Sequence, residues 1–436
     1  MLDFFRKFAR LLAMLSALLV LVSGCTPADS RTQDSSPQPV NVWVWDETFN
    51  VKAARMASQW YLDSHPESEI RVETREREQI LADVKNLLSA KLYDRLPEII
   101  MIEDYDAQEM LARYPGEFVD LTDCLDASAF FEYKTRLCSH NGRVYGIPFD
   151  SGVTALFYRL DILQQAGYGE TDMQNLTWDR FMEIGRGVYA KTGKPMLTVD
   201  PTDLPLLRMI MQSCGTWFCD DEGQITVEDN EPLLRGLLLY QQLLESGTPR
   251  SALGWNEFIS AFQNGETAAV ISGGWIMSSI KEAADQSGQW RMAPIPTFPD
   301  LPQSASRSNI GGSSWYILKN ARGAREATQF LTTSFSAENT SFWNDLIEEI
   351  GVIPCIRDTS RLSALSKEDT FFGGQPVTRT LSDLARDIPV VNYGSNTYEI
   401  ERILQQEFQN ALVTNNYQRC LQSVQLKAEA ISTAPF

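Results

Sequence analysis

The stretch GRVYGIPFDSGVTALFYRLDILQQAG, Gly142–Gly167, decides the fold because it joins two packed units. A polar turn opens it, and a short apolar run broken by Pro148 follows. The block Val153–Tyr158 predicts a strand, and a helix is expected from Asp161 to a stop at Gly167. Proline and glycine in such positions are typical of a chain that passes from one packed unit into another. The stretch therefore predicts a crossing between two lobes.

Asp150 stands at this crossing, where Asp150-Ser151-Gly152 separates the two apolar runs. A carboxylate at such a place can face a cleft between the lobes. Aspartate also accepts backbone hydrogen bonds in Asx-turns and caps, and the spacing by itself favours neither role.

The length and the charge limit the classes of protein to which the chain can belong. At 436 residues it is longer than one hydrophobic core usually supports, so two domains are expected. The formal net charge of −19 excludes nucleic acid as a partner, because no basic stripe could offset it. Acidity otherwise favours solubility and says little about the ligand.

The N-terminus carries the features of an export signal. A basic segment ends at Arg10, and the apolar run Leu11–Val22 is too short to span a bilayer, which is typical of a signal peptide. The residues Val22-Ser23-Gly24-Cys25 resemble a bacterial lipobox, although leucine is commoner in the first position. That resemblance implies a signal peptide over residues 1–24, cleavage before Cys25 and acylation of its thiol with fatty acids such as palmitate.

Residues 25–39 are rich in Ser, Pro, Gln and Asp, and they predict a flexible lipid-tether linker. Together with Cys25 they predict a lipoprotein that is anchored at the extracytoplasmic face of the cell membrane.

Six further cysteines form an even set, which permits disulfides outside the cytoplasm. Cys214 and Cys219 flank a short loop, and Cys124 and Cys138 flank a short segment, so these are the two favoured pairs. Cys355 with Cys420 follows only by elimination, and buried free thiols are the alternative. No metal site is expected, because no Cys-x-x-Cys is present and the two histidines lack ligand spacing.

Strands alternate with helices after the linker. Val40–Trp45, Ile70–Glu73 and Glu98–Ile102 are rich in β-formers, and helices are expected between them. This alternation predicts a mainly parallel sheet covered on both faces. Ligands gather at the carboxyl ends of strands in such sheets.

Acidic residues follow two of these strands. Asp46 and Glu47 come after the first strand, and Asp104 and Asp106 come after the third. These acids are therefore candidates for ligand contact. An acid at the start of a helix more often caps that helix, so capping is the alternative.

Two glycine-rich turns follow later in the chain. Gly273-Gly274-Trp275 ends a predicted strand, and its glycines allow the backbone to come close to a ligand. Trp275 is predicted to lie over the cleft, with a place in the core as the alternative. The Pro-rich Met292–Pro299 suits a second extended crossing, and Asn309–Trp315 (NIGGSSW) predicts a third.

The order of these pieces is similar to the extracellular solute-binding proteins of family 1, the maltose-binding-protein-like receptors of sugar ABC importers. The resemblance runs from about Val40 to Ile431 and depends on order and spacing together with the lipobox. The segments that carry it are Gly142–Gly167, Thr177–Phe181 (TWDRF), Asn264–Trp275 (NGETAAVISGGW), Ala293–Pro296 (APIP) and Ile310–Leu318 (IGGSSWYIL).

The resemblance implies an α/β fold of the periplasmic-binding-protein type II-like class, with two α/β lobes joined by a hinge and a ligand cleft between them. Lobe 1 is expected to comprise residues 40–150 plus 293–314, and lobe 2 residues 151–292 plus 315–436. By position, the resemblance implies ligand contacts at Asp46, Glu47, Asp104, Asp106, Asp150, Trp275, Gly312, Ser313 and Tyr393.

Two residues depart from the maltose-type pattern. Gly274 replaces the usual proline before the tryptophan, and Ile102 stands where a stacking aromatic is common. Both departures argue against a maltose-like specificity.

The implied function is that of a monomeric receptor without catalysis or cofactor, which delivers a carbohydrate to ABC transporter permease subunits. Carboxylates accept hydrogen bonds from sugar hydroxyls and aromatic rings cover the apolar face of a sugar, which suits this composition. The alternative is a secreted glycoside hydrolase, which needs two carboxylates about 5–9.5 Å apart. A receptor for a polyamine or a peptide would need more acid or an apolar groove.

Overall fold

The structure is a computed structural model that describes residues 38–199, 204–246 and 249–432. The predicted signal peptide and the lipidation site Cys25 lie outside the described residues. The strands are β1 (Val40–Val44), β2 (Ile70–Thr74), β3 (Ile99–Glu103), β4 (Ser139–His140), β5 (Arg143–Val144), β6 (Gly146–Arg159), β7 (Thr198–Val199), β8 (Arg250–Ser251), β9 (Ala269–Gly273), β10 (Trp290–Ala293) and β11 (Asn309–Ile317).

Helices cover the sheet and make up most of the C-terminal third. They are α1 (Asn50–Leu62), α2 (Arg77–Ser89), α3 (Asp104–Arg113), α4 (Glu132–Leu137), α5 (Leu160–Gln165), α6 (Trp178–Thr192), α7 (Pro205–Ser213), α8 (Glu231–Glu245), α9 (Trp255–Gln263), α10 (Met277–Lys281), α11 (Ala324–Ser334), α12 (Thr340–Ile350), α13 (Val377–Ala385), α14 (Thr397–Thr414) and α15 (Tyr417–Ser432).

One seven-stranded sheet organises the described part of the chain. Its order is β10-β6-β11-β3-β1-β2, and β9 also pairs with β6. The strand β1 runs parallel to β2 and β3, whereas β11, β6, β9 and β10 join through antiparallel pairs. The prediction of a mainly parallel sheet is therefore wrong for the second half, where strands pair without the helical crossover that parallel neighbours need.

The strand β6 is the crossing that the sequence predicts, but it is continuous. Its first half pairs with β11 and its second half with β9 and β10. Asp150-Ser151-Gly152 lies inside this strand instead of breaking it. The register against β11 shifts beside Pro148, and such an irregularity is where a sheet tolerates proline.

Gly152 shows why no larger residue fits at the crossing. A Cβ atom there would lie 2.1 Å from the backbone oxygen of Ile310, so β6 and β11 approach each other too closely for a side chain. The sequence places glycine where two backbones meet.

Helix packing divides the chain differently from the predicted lobe boundary. Helices α11 and α12 pack against α1, and α11 also packs against β1. The sequence assigns 315–436 to the second lobe, so that assignment does not describe these two helices. Helices α14 and α15 pack together, and α15 packs on α8.

The core is rich in aromatic side chains, and in the first half of the sheet Phe149 packs against both Trp315 and Trp343. None of the helices in the described residues is both long and apolar enough to cross a membrane.

Candidate functional site

A cavity of about 910 Å³ lies where the two halves of the sheet meet. One wall comes from the loop after β1, the end of β3 and the segment of β11 around Gly311 and Gly312. The other wall comes from β9 and from the first turns of α9 and of α10. Volumes of about 300–1,000 Å³ are usual for sites that bury a small molecule, and this cavity is near the upper end.

Aromatic side chains form one wall of the cavity. Trp275 is half-buried, and its indole Nε1 donates a hydrogen bond to the backbone oxygen of Ile310 at 3.1 Å. Trp255 lies beside it, with ring centroids 5.6 Å apart, and Phe258 stacks behind Trp255. Both alternatives for Trp275, a place over the cleft and a place in the core, hold in part. Its ring lines the cavity and also packs against the core.

A charged cluster forms the floor. Glu103, the last residue of β3, accepts hydrogen bonds from the Arg77 guanidinium and from the Tyr398 hydroxyl. Arg77 also donates to Tyr398 at 3.1 Å. All three residues line the cavity, so a carboxylate is held in place there by a cation and a phenol.

A second ion pair lies beside this cluster. Arg208 on α7 pairs with Glu401 on α14 at 3.2 Å, and both are nearly buried. The guanidinium carbon of Arg208 lies 5.2 Å from the centroid of the Tyr105 ring, a cation–π contact. The floor is thus polar, and each acid on it has a basic neighbour, so its net charge is small.

Asp150 belongs to the cavity and to the sheet at once. Its Oδ1 accepts from the Ser313 backbone at 2.8 Å and from the Ser313 hydroxyl at 2.6 Å. Its backbone oxygen accepts from Lys134. The carboxylate of Asp150 is therefore used inside the sheet, by a residue of β11 and not in an Asx-turn or a cap, and the residue also lines the cavity.

Gly311 and Gly312 line the cavity beside Asp150, at a point where the register of β11 against β6 is irregular. Both glycines have positive φ, of 71° and 88°, a conformation that residues with a Cβ atom rarely adopt. Gly312 and Ser313 line the cavity, as their predicted role requires.

The side chains of Asp46 and Glu47 lie in different surroundings. Asp46 lines the cavity with a φ of 62°, and its Oδ1 accepts from the Thr48 backbone at 3.1 Å and the Thr48 hydroxyl at 2.9 Å. Glu47 points away to Thr74 and Arg55, and the hydrogen bond from Thr74 lowers the pKa of Glu47. The structure therefore does not support Glu47 as a ligand contact.

Asp104 and Asp106 lie behind the cavity wall. Asp104 is buried against Lys134, with both of its oxygens within 2.8 Å of Nζ. Burial disfavours the charge on Lys134, but the carboxylate of Asp104 holds the pKa of Lys134 above its ordinary value. Asp106 faces Arg77 at 3.1 Å, and burial raises the pKa of Asp106 to about 7. Neither acid lines the cavity, because each is used by a basic partner inside the fold.

Tyr393 is also not a lining residue. Its hydroxyl donates to Gln212 at 2.6 Å, and its ring lies 4.5 Å from that of Trp217 and 4.6 Å from that of Tyr105. It supports Tyr105 from behind, and its prediction as a ligand contact is not supported.

The predicted disulfides are not formed. All six cysteines of the described chain are free thiols, and Cys124 is exposed while Cys138 is buried. Cys138 donates to the Ser314 hydroxyl, and Cys219 donates to the backbone of Asn392. The thiols of Cys138 and Cys219 are thus hydrogen-bonded to residues far along the chain, which the cysteine spacing does not show.

Several lining residues escaped the sequence analysis: Trp45, Arg77, Glu103, Tyr105, Arg208, Trp255, Tyr398 and Glu401. Glu103 had a signal, because it directly follows the predicted strand Glu98–Ile102, and Trp45 and Tyr105 lie next to the predicted acids. The remaining residues come from distant segments, such as Arg77 and Tyr398, which are 321 residues apart.

The comparisons with known proteins establish the family. Residues 63–372 match the family model described as bacterial extracellular solute-binding protein, which covers more than half of the chain. The chain belongs to this family. Together with a lactose-binding protein that is 37% identical to this chain, the match confirms the predicted relationship to receptors of sugar ABC importers, which are binding proteins and not enzymes. It gives no support to the glycoside hydrolase alternative.

Two relatives align with this solute-binding protein over most of its length and most of their own. A lactose-binding protein of Rhizobium radiobacter is 37% identical over 85% of this chain and 87% of its own length. An arabinooligosaccharide-binding protein of Bacillus subtilis (strain 168) is 25% identical over 77% of this chain and 78% of its own.

A solved structure confirms the fold. The ABC-transporter-associated binding protein of B. animalis subsp. lactis Bl-04, in complex with β-1,6-galactobiose, aligns with a TM-score of 0.72 at 18% identity. The alignment covers 90% of this chain and 97% of that one. The predicted fold class is therefore correct: a periplasmic-binding-protein type II-like fold with two α/β lobes.

Proposed function

We propose that this solute-binding protein captures a short, uncharged oligosaccharide, with a lactose-type galactoside as the first candidate. The observation that carries the proposal is the cavity between the two halves of the sheet, which combines an indole wall with a floor of paired charges. Asp46, Asp150, Trp275, Gly312 and Ser313 are the ligand-facing residues among those that the sequence predicts.

Sugar chemistry fits this combination. Each sugar ring has an apolar face of C–H groups, which the indole wall covers, and a rim of hydroxyls, which carboxylates and guanidinium groups bind by charge-assisted hydrogen bonds. The paired charges on the floor favour a neutral ligand, since a charged one would disturb the Arg77–Glu103 and Arg208–Glu401 pairs. Two relatives are named for lactose and for arabinooligosaccharides, and both are neutral sugars.

A titration panel tests the proposal. Mature protein is titrated with lactose, maltose and an arabinose disaccharide by calorimetry, and its thermal unfolding is followed with each sugar. Binding of at least one of them raises the apparent melting temperature by mass action, with lactose expected to give the largest rise. Putrescine and a tripeptide are the controls. If they raise the melting temperature and no sugar does, the proposal is wrong.

We also propose that the receptor works at the extracytoplasmic face of the cell membrane as a monomer, tethered through a lipid on Cys25, and passes its ligand to permease subunits. Support comes from the lipobox sequence and the apolar leader. In cells fed an alkyne analogue of palmitate, the chain becomes labelled and pellets with membranes, whereas Cys25→Ser is unlabelled and released. Labelling of Cys25→Ser would contradict the proposed anchor.

We also propose which residues form each lobe. The first lobe takes residues 40–150 and 293–314, and the packing of α11 and α12 adds residues up to 350 to it. The second lobe takes residues 151–292 and the remainder of the C-terminal third. Closure of these lobes on the ligand follows if the ligand contacts both walls of the cavity.

A further inference from the structure

Helix α4 places a lysine in the interior, behind the wall of the cavity. Lys134 is 0% exposed, although lysine is almost never fully buried unless it is paired. Its Nζ donates to the two carboxylate oxygens of Asp104, at 2.6 and 2.8 Å, and to the backbone oxygen of Asp150 at 2.8 Å. These three hydrogen bonds account for the three donors of an ammonium group.

The two acceptors of Lys134 are also the groups that lie against Gly312. A Cβ atom on Gly312 would be 2.9 Å from the carboxylate of Asp104 and 3.1 Å from the backbone oxygen of Asp150. Gly312 and Asp150 both line the cavity, whereas Lys134 and Asp104 do not. Lys134 therefore fixes, from behind, the groups that set the position of this part of the wall.

Helix α4 also holds the crossing strand β6 at the next residue. The Tyr133 hydroxyl donates to the Ser151 hydroxyl at 2.6 Å, and both residues are buried. Consecutive residues of α4 thus contact consecutive residues of β6. Ser151 does not line the cavity but Asp150 does, so only the contact of Lys134 reaches a residue that faces a ligand.

Stability is a weak reason for a buried ion pair at this place. Burial takes both charges out of water, and their attraction in the interior often does no more than offset that loss. Apolar residues of similar volume can replace such a pair with little effect on the free energy of unfolding. An ion pair differs from an apolar pair in that its hydrogen bonds fix the atoms that it joins. The contacts of Lys134 therefore constrain the wall more than they stabilise the fold.

We propose that Lys134 is a positioning residue for ligand binding, which holds Asp150 and Gly312 in the arrangement that the ligand meets without itself touching the ligand. The inference rests on the proposed carbohydrate function and assigns a part in it to a residue outside the cavity. An apolar pair can take the place of Lys134 and Asp104 in the fold. It cannot take over the positioning, because it offers no donor to the backbone oxygen of Asp150.

The experiment compares affinity with stability in the mature chain. The probe is whichever of lactose, maltose and the arabinose disaccharide the wild type binds most tightly; its affinity is measured by calorimetry, and the midpoint of unfolding in urea is measured for each variant. Lys134→Met leaves the Asp104 carboxylate buried without a cation, so the midpoint falls and the affinity drops at least about tenfold. The double variant Lys134→Met, Asp104→Leu regains most of the midpoint but keeps the weakened affinity.

Tyr133→Phe is the matched control on the same helix. It removes one buried hydrogen bond between α4 and β6, so the midpoint of unfolding falls. The affinity stays within about twofold of the wild type, because the contact of Lys134 with Asp150 is unchanged. Loss of stability and loss of affinity are thereby separated.

Three outcomes overturn the inference. The double variant binds the probe as tightly as the wild type, or the affinities of all variants, Tyr133→Phe included, follow their midpoints, or the double variant does not fold, which would give the pair its role in the fold itself. In these cases the wild type still binds sugar, and the proposed function stands. If the wild type binds none of the three sugars, the proposed function fails first and this inference fails with it.

Discussion

Trp275 shows how one side chain serves both the core and the site. Its indole nitrogen is fixed by Ile310, and its ring is half-exposed to the cavity. Trp275→Ala is expected to weaken sugar binding at least about tenfold, about 1.4 kcal/mol, because one sugar face loses its cover. Titration calorimetry measures this loss.

Trp275→Phe is the control, since it keeps a ring but loses the indole donor. We expect an affinity between those of the wild type and of Trp275→Ala, with a small change in melting temperature. Wild-type affinity in Trp275→Ala would place the residue in the core alone.

Asp150 is expected to affect stability as well as binding. Its carboxylate accepts two hydrogen bonds from Ser313, and hydrogen bonds to charged groups contribute about 1.5–3 kcal/mol each. Asp150→Asn should therefore lower the free energy of unfolding in urea and weaken sugar binding. An unchanged unfolding midpoint would show that the amide replaces the carboxylate fully.

Site residues could be predicted from the sequence where the neighbouring residues marked them. Asp150 and Trp275 stand close to glycine or proline at the boundaries of predicted strands, and the structure places both at the cavity. Asp104 and Asp106 also follow a predicted strand, but Lys134 and Arg77 pair with them from elsewhere in the chain. Pairing partners decide whether an acid faces a ligand, and a sequence does not show which residues meet.

At the scale of elements, the irregular segment of β11 at Gly311-Gly312 depends on glycine. A Cβ atom on Gly312 would lie 2.9 Å from the Asp104 carboxylate and 3.1 Å from the Asp150 backbone oxygen, at a φ of 88°. Gly312→Ala is therefore expected to cost about 3 kcal/mol of unfolding free energy. Urea denaturation followed by fluorescence measures this cost.

Gly374→Ala is the matched control. Gly374 has nearly the same φ, 86°, but a Cβ atom there meets nothing within 4 Å. Its cost is confined to the backbone conformation, about 1–2 kcal/mol. Equal costs in the two variants would show that the crowding at Gly312 is relieved without loss.

Element types could be predicted from the sequence, but their continuity could not. The strands β1, β2 and β3 agree with the sequence pattern. The strand β6 was expected as two pieces, because Pro148 usually ends a strand. Its partner β11 shifts register and accommodates the proline, so the tertiary partner overrides the local preference.

Helix α3 carries a group that makes stability depend on pH. Burial raises the pKa of Asp106 to about 7, with Glu103 adding to the rise and Arg77 opposing it; Glu109 and Lys85 are the other charges that face it. In the unfolded chain the pKa is about 3.9. The fold therefore favours the neutral form of Asp106. Its contribution to the free energy of unfolding is complete below about pH 4 and is lost as the pH rises through about 7.

Comparison with Asp106→Asn isolates this contribution. Urea denaturation of both proteins at pH 5, 6, 7 and 8 should show the wild type losing free energy of unfolding relative to the variant as pH rises. Parallel curves would show that Asp106 keeps its ordinary pKa in the fold.

At the scale of the whole molecule, helix α14 meets the first half of the sheet at the cavity. Tyr398 at the start of α14 contacts Glu103 and Arg77, and all three line the cavity. A ligand between the walls therefore contacts residues of both halves. Because only a ligand with different affinity for the two forms can shift an open–closed equilibrium, contact with both walls favours the closed form.

The last prediction concerns this closure. The radius of gyration from small-angle X-ray scattering should decrease when saturating lactose is added, because the two lobes approach around the ligand. Putrescine at the same concentration is the control and should leave the radius unchanged. If lactose raises the melting temperature without changing the radius of gyration, the lobes are already closed without ligand, and binding proceeds by entry into a preformed cavity. A decrease in the radius together with the rise in melting temperature shows that capture and closure are one step.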